Sequence, residues 1–321
     1  MKKWLKFVSP IVGLVLLLLA IVALRKALAA YDYHDIVRAL AHIPPAKIAL
    51  ALLLTILSYF TLGLYDCLAA IYARGKLAFS KTTMAGFIAY AFGYMIGLSF
   101  LSGTSVRYRL YSSWQLTTPQ IGKIVIFCCI SVWTGFLGLG GAAFLLSPET
   151  VVACVPIGAA VPRYIGMGAL VIVCAYILAT ATFRNSFTVK GVEISLPRPR
   201  LAIVQVFTAC ADLAIAGSVL YVLLPEDSGV SYISFLGIFL VALSTGIVSQ
   251  IPGGIGVLEV VMIKMLSPTI PADAIMGSLM AFRVIYYLLP FGTAVTLFTA
   301  FEAHQGRDFL ARSTGIRFLS K

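Results

Sequence analysis

Apolar stretches long enough to cross a bilayer recur along this chain from one end to the other, and that spacing leaves few folds open. A span needs about 20 apolar residues to cross a ~30 Å hydrocarbon core. Six segments meet that length, at about 8–28, 47–73, 121–146, 163–183, 201–224 and 273–302. Lipid offers no partners to backbone N–H and C=O groups, so each segment satisfies its own as a helix. Composition agrees: 60% of the 321 residues are hydrophobic and 11% are charged, against roughly a quarter charged in a soluble domain. The chain reads as an all-α polytopic membrane protein, one transmembrane domain over 1–321 that ends in a short basic tail at 303–321.

Two further apolar segments, which bring the total to eight, are broken. The stretch 82–118 runs apolar and then breaks at Leu101-Ser102-Gly103-Thr104-Ser105, before Arg107-Tyr108-Arg109-Leu110-Tyr111. The stretch 232–270 breaks at Ser249-Gln250-Ile251-Pro252-Gly253-Gly254-Ile255-Gly256, and an amphipathic piece, Val257–Leu266, follows with Glu259 and Lys264. Proline lacks an N–H and glycine lacks a Cβ, so clusters of them end helices. At membrane depth such breaks persist only where protein or water satisfies the freed backbone.

The basic residues choose between topologies. If both broken stretches cross once, the loop 184–200, with Arg184, Lys190, Arg198 and Arg200, falls outside and Glu226-Asp227 falls inside. Both placements oppose the rule that short cytoplasmic loops are rich in Lys and Arg. Treating both stretches as re-entrant hairpins removes the conflict. The N-terminus, 74–81, 112–120, 184–200 and the C-terminus are then cytoplasmic, in a bacterial inner membrane. One hairpin enters from the cytoplasm, the other from outside. With a first half of about 1–146 and a second of about 163–302, this arrangement suggests an inverted repeat, and transporters place substrate sites where such broken helices meet. The N-terminal segment imitates a signal peptide, but the apolar stretch from Phe7 to Leu24 is longer than a signal core and Arg25-Lys26 precede the apparent cleavage site. It reads as an uncleaved span.

Charge and cysteine usage exclude several functions. The excess of 24 Lys+Arg over 12 Asp+Glu lies between spans, where it fixes orientation and meets anionic headgroups. No basic stripe or recognition motif points to nucleic acid. Six cysteines and three histidines form no metal-ligand spacing, so the cysteines read as small packing residues. No nucleotide loop, acyltransfer pair or nucleophile elbow is present, and no cofactor motif, so the chain does not read as an enzyme.

Chemistry therefore rests on the few ionisable residues inside apolar segments: Asp66, Arg107, Arg109, Asp212, Glu259, Lys264 and Arg283. A charge at mid-bilayer costs at least ~2.5–3.5 kcal/mol, so each needs a partner or a role. One reading is structural: ion pairs, such as Glu259 with Arg283, that pin helices. The other is a site. Gly253, Gly254 and Gly256 let backbone approach a ligand, and the helix start that follows offers free N–H groups to an anion. Arg283 can hold phosphate through two hydrogen bonds. Glu259 would compete with an anion unless protonated or paired, and a protonatable acid there suits proton coupling. Arg107 and Arg109 either anchor the interface or turn one guanidinium inward as the second half of the site. Tyr286-Tyr287 suit packing or hydrogen bonding, and Pro290 is expected to kink the last span.

Four ordered motifs carry a family resemblance: Ser58-Tyr59 with Tyr65-Asp66; Val106 through Ser112; Ile251-Pro252-Gly253-Gly254-Ile255-Gly256-Val257-Leu258-Glu259; and Tyr286-Tyr287-Leu288-Leu289-Pro290 after Arg283. Over nearly the whole chain they resemble the bacterial UPF0104 inner-membrane family, related to the transmembrane flippase region of lysylphosphatidylglycerol synthase (multiple peptide resistance factor). The resemblance implies translocation of an anionic or aminoacylated phospholipid, or a related lipid-linked headgroup, with Arg107, Arg109, Glu259 and Arg283 as headgroup contacts. About 20 residues follow the last span, so the synthase domain of that larger family is expected to be absent and aminoacyl transfer with it. The readings that compete are a non-transporting subunit positioning a separately encoded lipid-synthesis or envelope-maintenance enzyme, and a small-solute transporter.

Overall fold

The computed structural model describes residues 43–96, 99–148, 158, 160–183, 186–189, 192–226, 229–249, 251 and 254–314, with part of 13–25. In chain order the elements are α1 (Pro45–Tyr72), α2 (Phe79–Ile96), α3 (Ser99–Ser113), α4 (Thr118–Leu146) and α5 (Ala160–Thr182). A hairpin of β1 (Ser186–Val189) and β2 (Val192–Ser195) follows, then α6 (Pro199–Leu223), α7 (Tyr232–Ser249), α8 (Val257–Leu266) and α9 (Ala272–Phe282). A π-helical turn, Arg283–Leu288, joins α9 to α10 (Leu289–Thr314). Apart from the short β-hairpin the chain is an α-helical polytopic membrane protein: among the described residues six helical stretches are long and apolar enough to cross a membrane. Five of them are expected full spans, the last running through α9, the π turn and α10, and the sixth is α7, the first arm of the second broken stretch. The span expected at 8–28 lies mostly outside the described residues.

Prolines mark several helix starts, where the missing N–H has no helical partner to lose. Pro45 and Pro199 each open a helix, Pro119 stands in the first turn of α4, and Pro271 directly precedes α9. Thr117 and Gln120 cap the start of α4, the Gln120 Oε1 accepting from the Thr117 N–H at 3.0 Å. The β-hairpin was not anticipated in the 184–200 loop. It pairs antiparallel with Ser186 opposite Ser195 and Val189 opposite Val192. Alternation in Phe-Thr-Val and Val-Glu-Ile gives the period-two pattern of a strand, in a stretch too short to stand out beside the spans.

Contacts at the two ends of the bundle establish its topology. At the end rich in Lys and Arg, the Tyr72 hydroxyl donates to the Ser195 carbonyl at 2.6 Å. Lys81, at the start of α2, lies 5.7 Å from the ring of Trp114 just past α3, and Trp114 packs edge-on against Phe301 of α10. So α2 and α3 leave and return to one end. At the other end Lys47 donates to the Leu224 carbonyl at 2.9 Å, and Ser278 donates to Leu223 at 2.8 Å. There α7 begins, its Tyr232 packed on Tyr221, and α8 returns to meet α9. The two hairpins therefore enter from opposite ends.

The position of the first break differs from expectation. Helix α3 runs unbroken through 101–105, and the boundary between the two helices falls earlier, α2 ending at Ile96 and α3 beginning at Ser99. Small hydroxylated residues do not end this helix because lipid rewards continued pairing. The Ser105 hydroxyl turns back to the Leu101 carbonyl at 2.8 Å. Gly103 serves packing: a Cβ there would stand 3.2 Å from the Ala89 carbonyl oxygen, so glycine lets α3 lie against α2. Such small-residue seams drive helix association where no hydrophobic effect operates. The second break falls where expected, between Ser249 and Val257, although Gln250, Pro252 and Gly253 lie outside the described residues. Gly254 (φ +59°) and Gly256 (φ +87°) occupy the left-handed region that glycine alone enters freely.

Candidate functional site

The apolar helices place three arginines out of solvent, and each is matched twice. Arg107 donates from Nε and Nη2 to the two oxygens of Asp66 at 2.9 and 2.7 Å and lies 4.6 Å from the Tyr90 ring centre. Arg109 meets Glu302 at 2.7 Å and the Phe301 ring at 5.8 Å. Arg283 meets Glu259 at 2.6 Å and the Tyr287 ring at 5.4 Å. A charge taken from water keeps its ionised form only when Coulomb attraction and hydrogen bonds replace hydration. Carboxylate and ring supply both here.

Asp66 is the most crowded of these acids. Besides Arg107 it accepts from the Tyr111 hydroxyl at 2.7 Å. Helix α2 approaches so closely that a Cβ on Gly86 would stand 2.9 Å from an Asp66 oxygen and 3.1 Å from the Gly63 Cα. The sequence thus spends two glycines to bring α1, α2 and α3 around one ion pair.

In the second hairpin the start of α8 is occupied by its own chain. Glu259, in its first turn, accepts from the Gly256 N–H at 2.9 Å through one oxygen and from Arg283 through the other. Arg283 also donates to the Gly254 carbonyl at 3.1 Å. The pairing of Glu259 with Arg283, one of the two expected readings, is present, and it ties the hairpin tip to the last span. Lys264 stands exposed in the last turn of α8, where a cation suits the helix dipole.

Asp212, on α6, is held differently. It accepts from Ser58 at 2.8 Å, Thr61 at 3.0 Å and, at 3.5 Å, Tyr65. These donors fall at i, i+3 and i+7 on α1, one face of one helix. Ser58 also bonds the Tyr286 hydroxyl at 2.9 Å. Among the described residues Asp212 has no ion-pair partner. Tyr286 begins a second linkage. Pro290 has no N–H to offer the carbonyl four residues back and its ring crowds that carbonyl, which is that of Tyr286. The helix widens there into the π turn, and the Tyr59 hydroxyl donates to the Tyr286 carbonyl at 3.1 Å. The irregularity expected at Pro290 thus falls in the turn before it.

Both hairpins wall one cavity of about 480 Å³. The first supplies Tyr90, Tyr94 and Arg107; the second supplies Gly246, Gly254 and Leu258; Asp212 and Tyr65 close it from α6 and α1. On α4 the lining includes Cys128 and Trp133. Trp133, midway along a membrane-length helix, is 51% exposed, so the cavity meets the lipid-facing surface at its side. The structure brings together Arg107, Asp212 and Gly254, with Asp66, Glu259 and Arg283 directly behind them. Arg109 is set apart, on the α10 side of α3, and Gly256 lies on the exposed hairpin tip outside the lining. Gly253 lies outside the described residues. Sequence reasoning missed Glu302, the hydroxyls of Ser58 and Thr61 as partners of Asp212, and Tyr90 and Tyr94 of the wall. The i, i+3, i+7 spacing on α1 was the available signal for the hydroxyls.

No family model matches the chain. It is 34% identical over 310 residues to the uncharacterized protein slr0712 of Synechocystis sp., covering 97% of this chain and 96% of that protein. It is 29% identical over 302 residues to the inner membrane protein YbhN of Escherichia coli (strain K12), covering 94% and 91%. It is 23% identical over 297 residues to phosphatidylglycerol lysyltransferase of Staphylococcus aureus (strain MSSA476), covering 89% of this chain but 33% of that protein.

Proposed function

Because the chain belongs to the UPF0104 family of multi-pass bacterial inner-membrane proteins, related to the membrane region of phosphatidylglycerol lysyltransferase, we propose that it is a lipid translocase that passes a phosphate-bearing headgroup between leaflets and catalyses no covalent step. The observation that carries this reading is the cavity. It lies between two hairpins entered from opposite ends, it is lined by a guanidinium, and it meets lipid beside Trp133. A headgroup can enter such a cavity sideways while its acyl chains stay in the bilayer. Phosphate geometry matches Arg107, whose charge is already placed by Asp66, and the tyrosine hydroxyls offer further hydrogen bonds. Arg283 acts from behind by fixing the hairpin tip through Gly254.

The test is leaflet exchange in proteoliposomes with headgroup-labelled phosphatidylglycerol, phosphatidylethanolamine and a lysylated analogue. Wild type is expected to accelerate exchange of at least one of them, and Arg283→Ala to lose that acceleration. Folded protein that accelerates none, with or without a proton gradient, would sink the proposal in favour of the scaffold reading.

A further inference from the structure

Among the described residues three acids are buried within the bundle, and two of them are committed. Asp66 and Glu259 each face a guanidinium at hydrogen-bond distance. Asp212 faces hydroxyls, and it lines the cavity. We propose that Asp212 is a reversible proton-binding site, and that its protonation accompanies entry of an anionic headgroup into the cavity. The coupling half of this statement rests on the translocase reading, whereas the proton site stands on the hydrogen-bond geometry alone.

That geometry closes in both protonation states. The single hydroxyl hydrogen of Thr61 has two acceptors within reach: Asp212 Oδ1 at 3.0 Å and the Ser58 carbonyl at 2.7 Å. With Asp212 ionised, Thr61 and Ser58 both donate to Oδ1. When a proton binds Oδ1, Thr61 turns its hydrogen to the Ser58 carbonyl, and Oδ1–H donates to the Thr61 oxygen it has just freed. Ser58 keeps donating to Oδ1, and Tyr286 can keep donating to Ser58. One hydroxyl rotation exchanges the states, and no buried polar group is stranded in either. A carboxylate cannot make this exchange with an arginine partner, because the guanidinium has no lone pair to receive an acid's hydrogen.

The neighbours leave the charge of Asp212 to act on the cavity. The titratable groups around it or sharing its cavity are Tyr59 and Tyr65 on α1, Tyr90 and Tyr94 on α2, Tyr286 and Tyr287 on the π turn, and Cys128 and Cys129 on α4. From α7, α8 and the break between them the lining is Leu243, Gly246, Ile247, Ile251, Gly254 and Leu258. The charged pair nearest the cavity, Asp66 with Arg107, sums to zero. Ionised Asp212 therefore leaves the cavity with a net negative charge in a poorly screened medium, which repels a phosphate. Protonation removes that charge. The proton comes from water at Oδ1 and returns to water when the headgroup leaves, so no other reactant is needed.

The proton site is read by infrared difference spectroscopy of the whole protein in nanodiscs, titrated from mildly alkaline to mildly acidic. A carboxylic C=O band should rise on acidification in the wild type and be missing from Asp212→Asn. A wild type without a titrating band, or the same band in the variant, overturns the site. Should Asp212→Asn fail to assemble, Thr61→Val takes its place. Loss of the accepting hydroxyl must move the band to higher frequency, and an unmoved band counts against the proposal. Coupling is read separately, as exchange of labelled phosphatidylglycerol in proteoliposomes with a lumenal pH dye. On the limb where Asp212 is ionised, wild-type exchange should rise by about tenfold per unit fall in pH, with proton uptake, and Asp212→Asn should be flat. Fast exchange that ignores pH overturns the coupling and leaves translocation standing. No exchange of any lipid, beside a normal titrating band, overturns the translocase reading and the coupling together and leaves the proton site.

Discussion

A guanidinium in hydrocarbon needs its charge answered from close by, and Arg107 shows how completely this chain answers it: two carboxylate oxygens in line with Nε and Nη2, a ring beneath, and glycines that let the third helix close over the pair. Breaking one side of such a pair strands the other. Asp66→Ala or Arg107→Ala alone should destabilise the protein by roughly 3–5 kcal/mol. The double variant should cost clearly less than the sum of the two, as read by unfolding titration in mixed micelles; additive costs would mean that the pair does not act as a unit. The charged residues themselves were plain in the sequence, because an ionisable side chain is rare inside an apolar run. Their partners were legible only in part. Glu259 and Arg283 flank one glycine-rich break and suggested each other. Glu302 sits at the very end of the last apolar segment, where an acid reads as solvated, so nothing tied it to Arg109. Ser58 and Thr61 are residues that membrane helices use everywhere as packing, and their role depends on Asp212, some 150 positions away.

In the last span, a proline sets the geometry of residues that precede it. Pro290 leaves the Tyr286 carbonyl without an α-helical i+4 donor, the helix takes a π turn, and Tyr59 from α1 supplies a bond to that carbonyl. Tyr59→Phe should therefore cost about 1–3 kcal/mol, the penalty for an unsatisfied buried acceptor. In a Pro290→Ala background an N–H returns at that position, and the same change should cost under about 1 kcal/mol. Equal costs in both backgrounds would show that Tyr59 matters for packing alone. That a proline disturbs this span could be read from the sequence. The form of the disturbance could not, since it depends on a hydroxyl from a distant helix. The two hairpin breaks differ in the same way. Around Gly254 and Gly256 the chain needs left-handed backbone, which glycine clustering advertises. The serines, glycine and threonine at 101–105 looked alike on paper but serve a helix seam, because back-bonded hydroxyls and close approach to α2 both favour staying helical.

At the scale of the molecule, the charge distribution of short loops was enough to set opposed hairpins against simple crossings, and the end-to-end contacts of the bundle agree with it. Single cysteines at Ser112 and Pro268, in a background without native cysteines, should be labelled from opposite sides of the membrane by an impermeant maleimide, Ser112 from the cytoplasm. Labelling from one side would refute the topology. The distribution of ties between the halves has a mechanical consequence. Asp66 with Arg107 lies wholly within the first half, and Glu259 with Arg283 wholly within the second. Among the described residues the middle of the seam is crossed instead by exchangeable hydroxyl bonds, from Ser58, Thr61 and Tyr65 to Asp212 and from Tyr59 to Tyr286, with a charged latch at each end, Arg109 with Glu302 at the basic end and Lys47 with Glu226 at the other. On the proposed translocase reading, each half would carry its own hairpin as a stiff lever, and the two would rock about the seam, exposing the cavity to one leaflet and then the other, without separating either central ion pair.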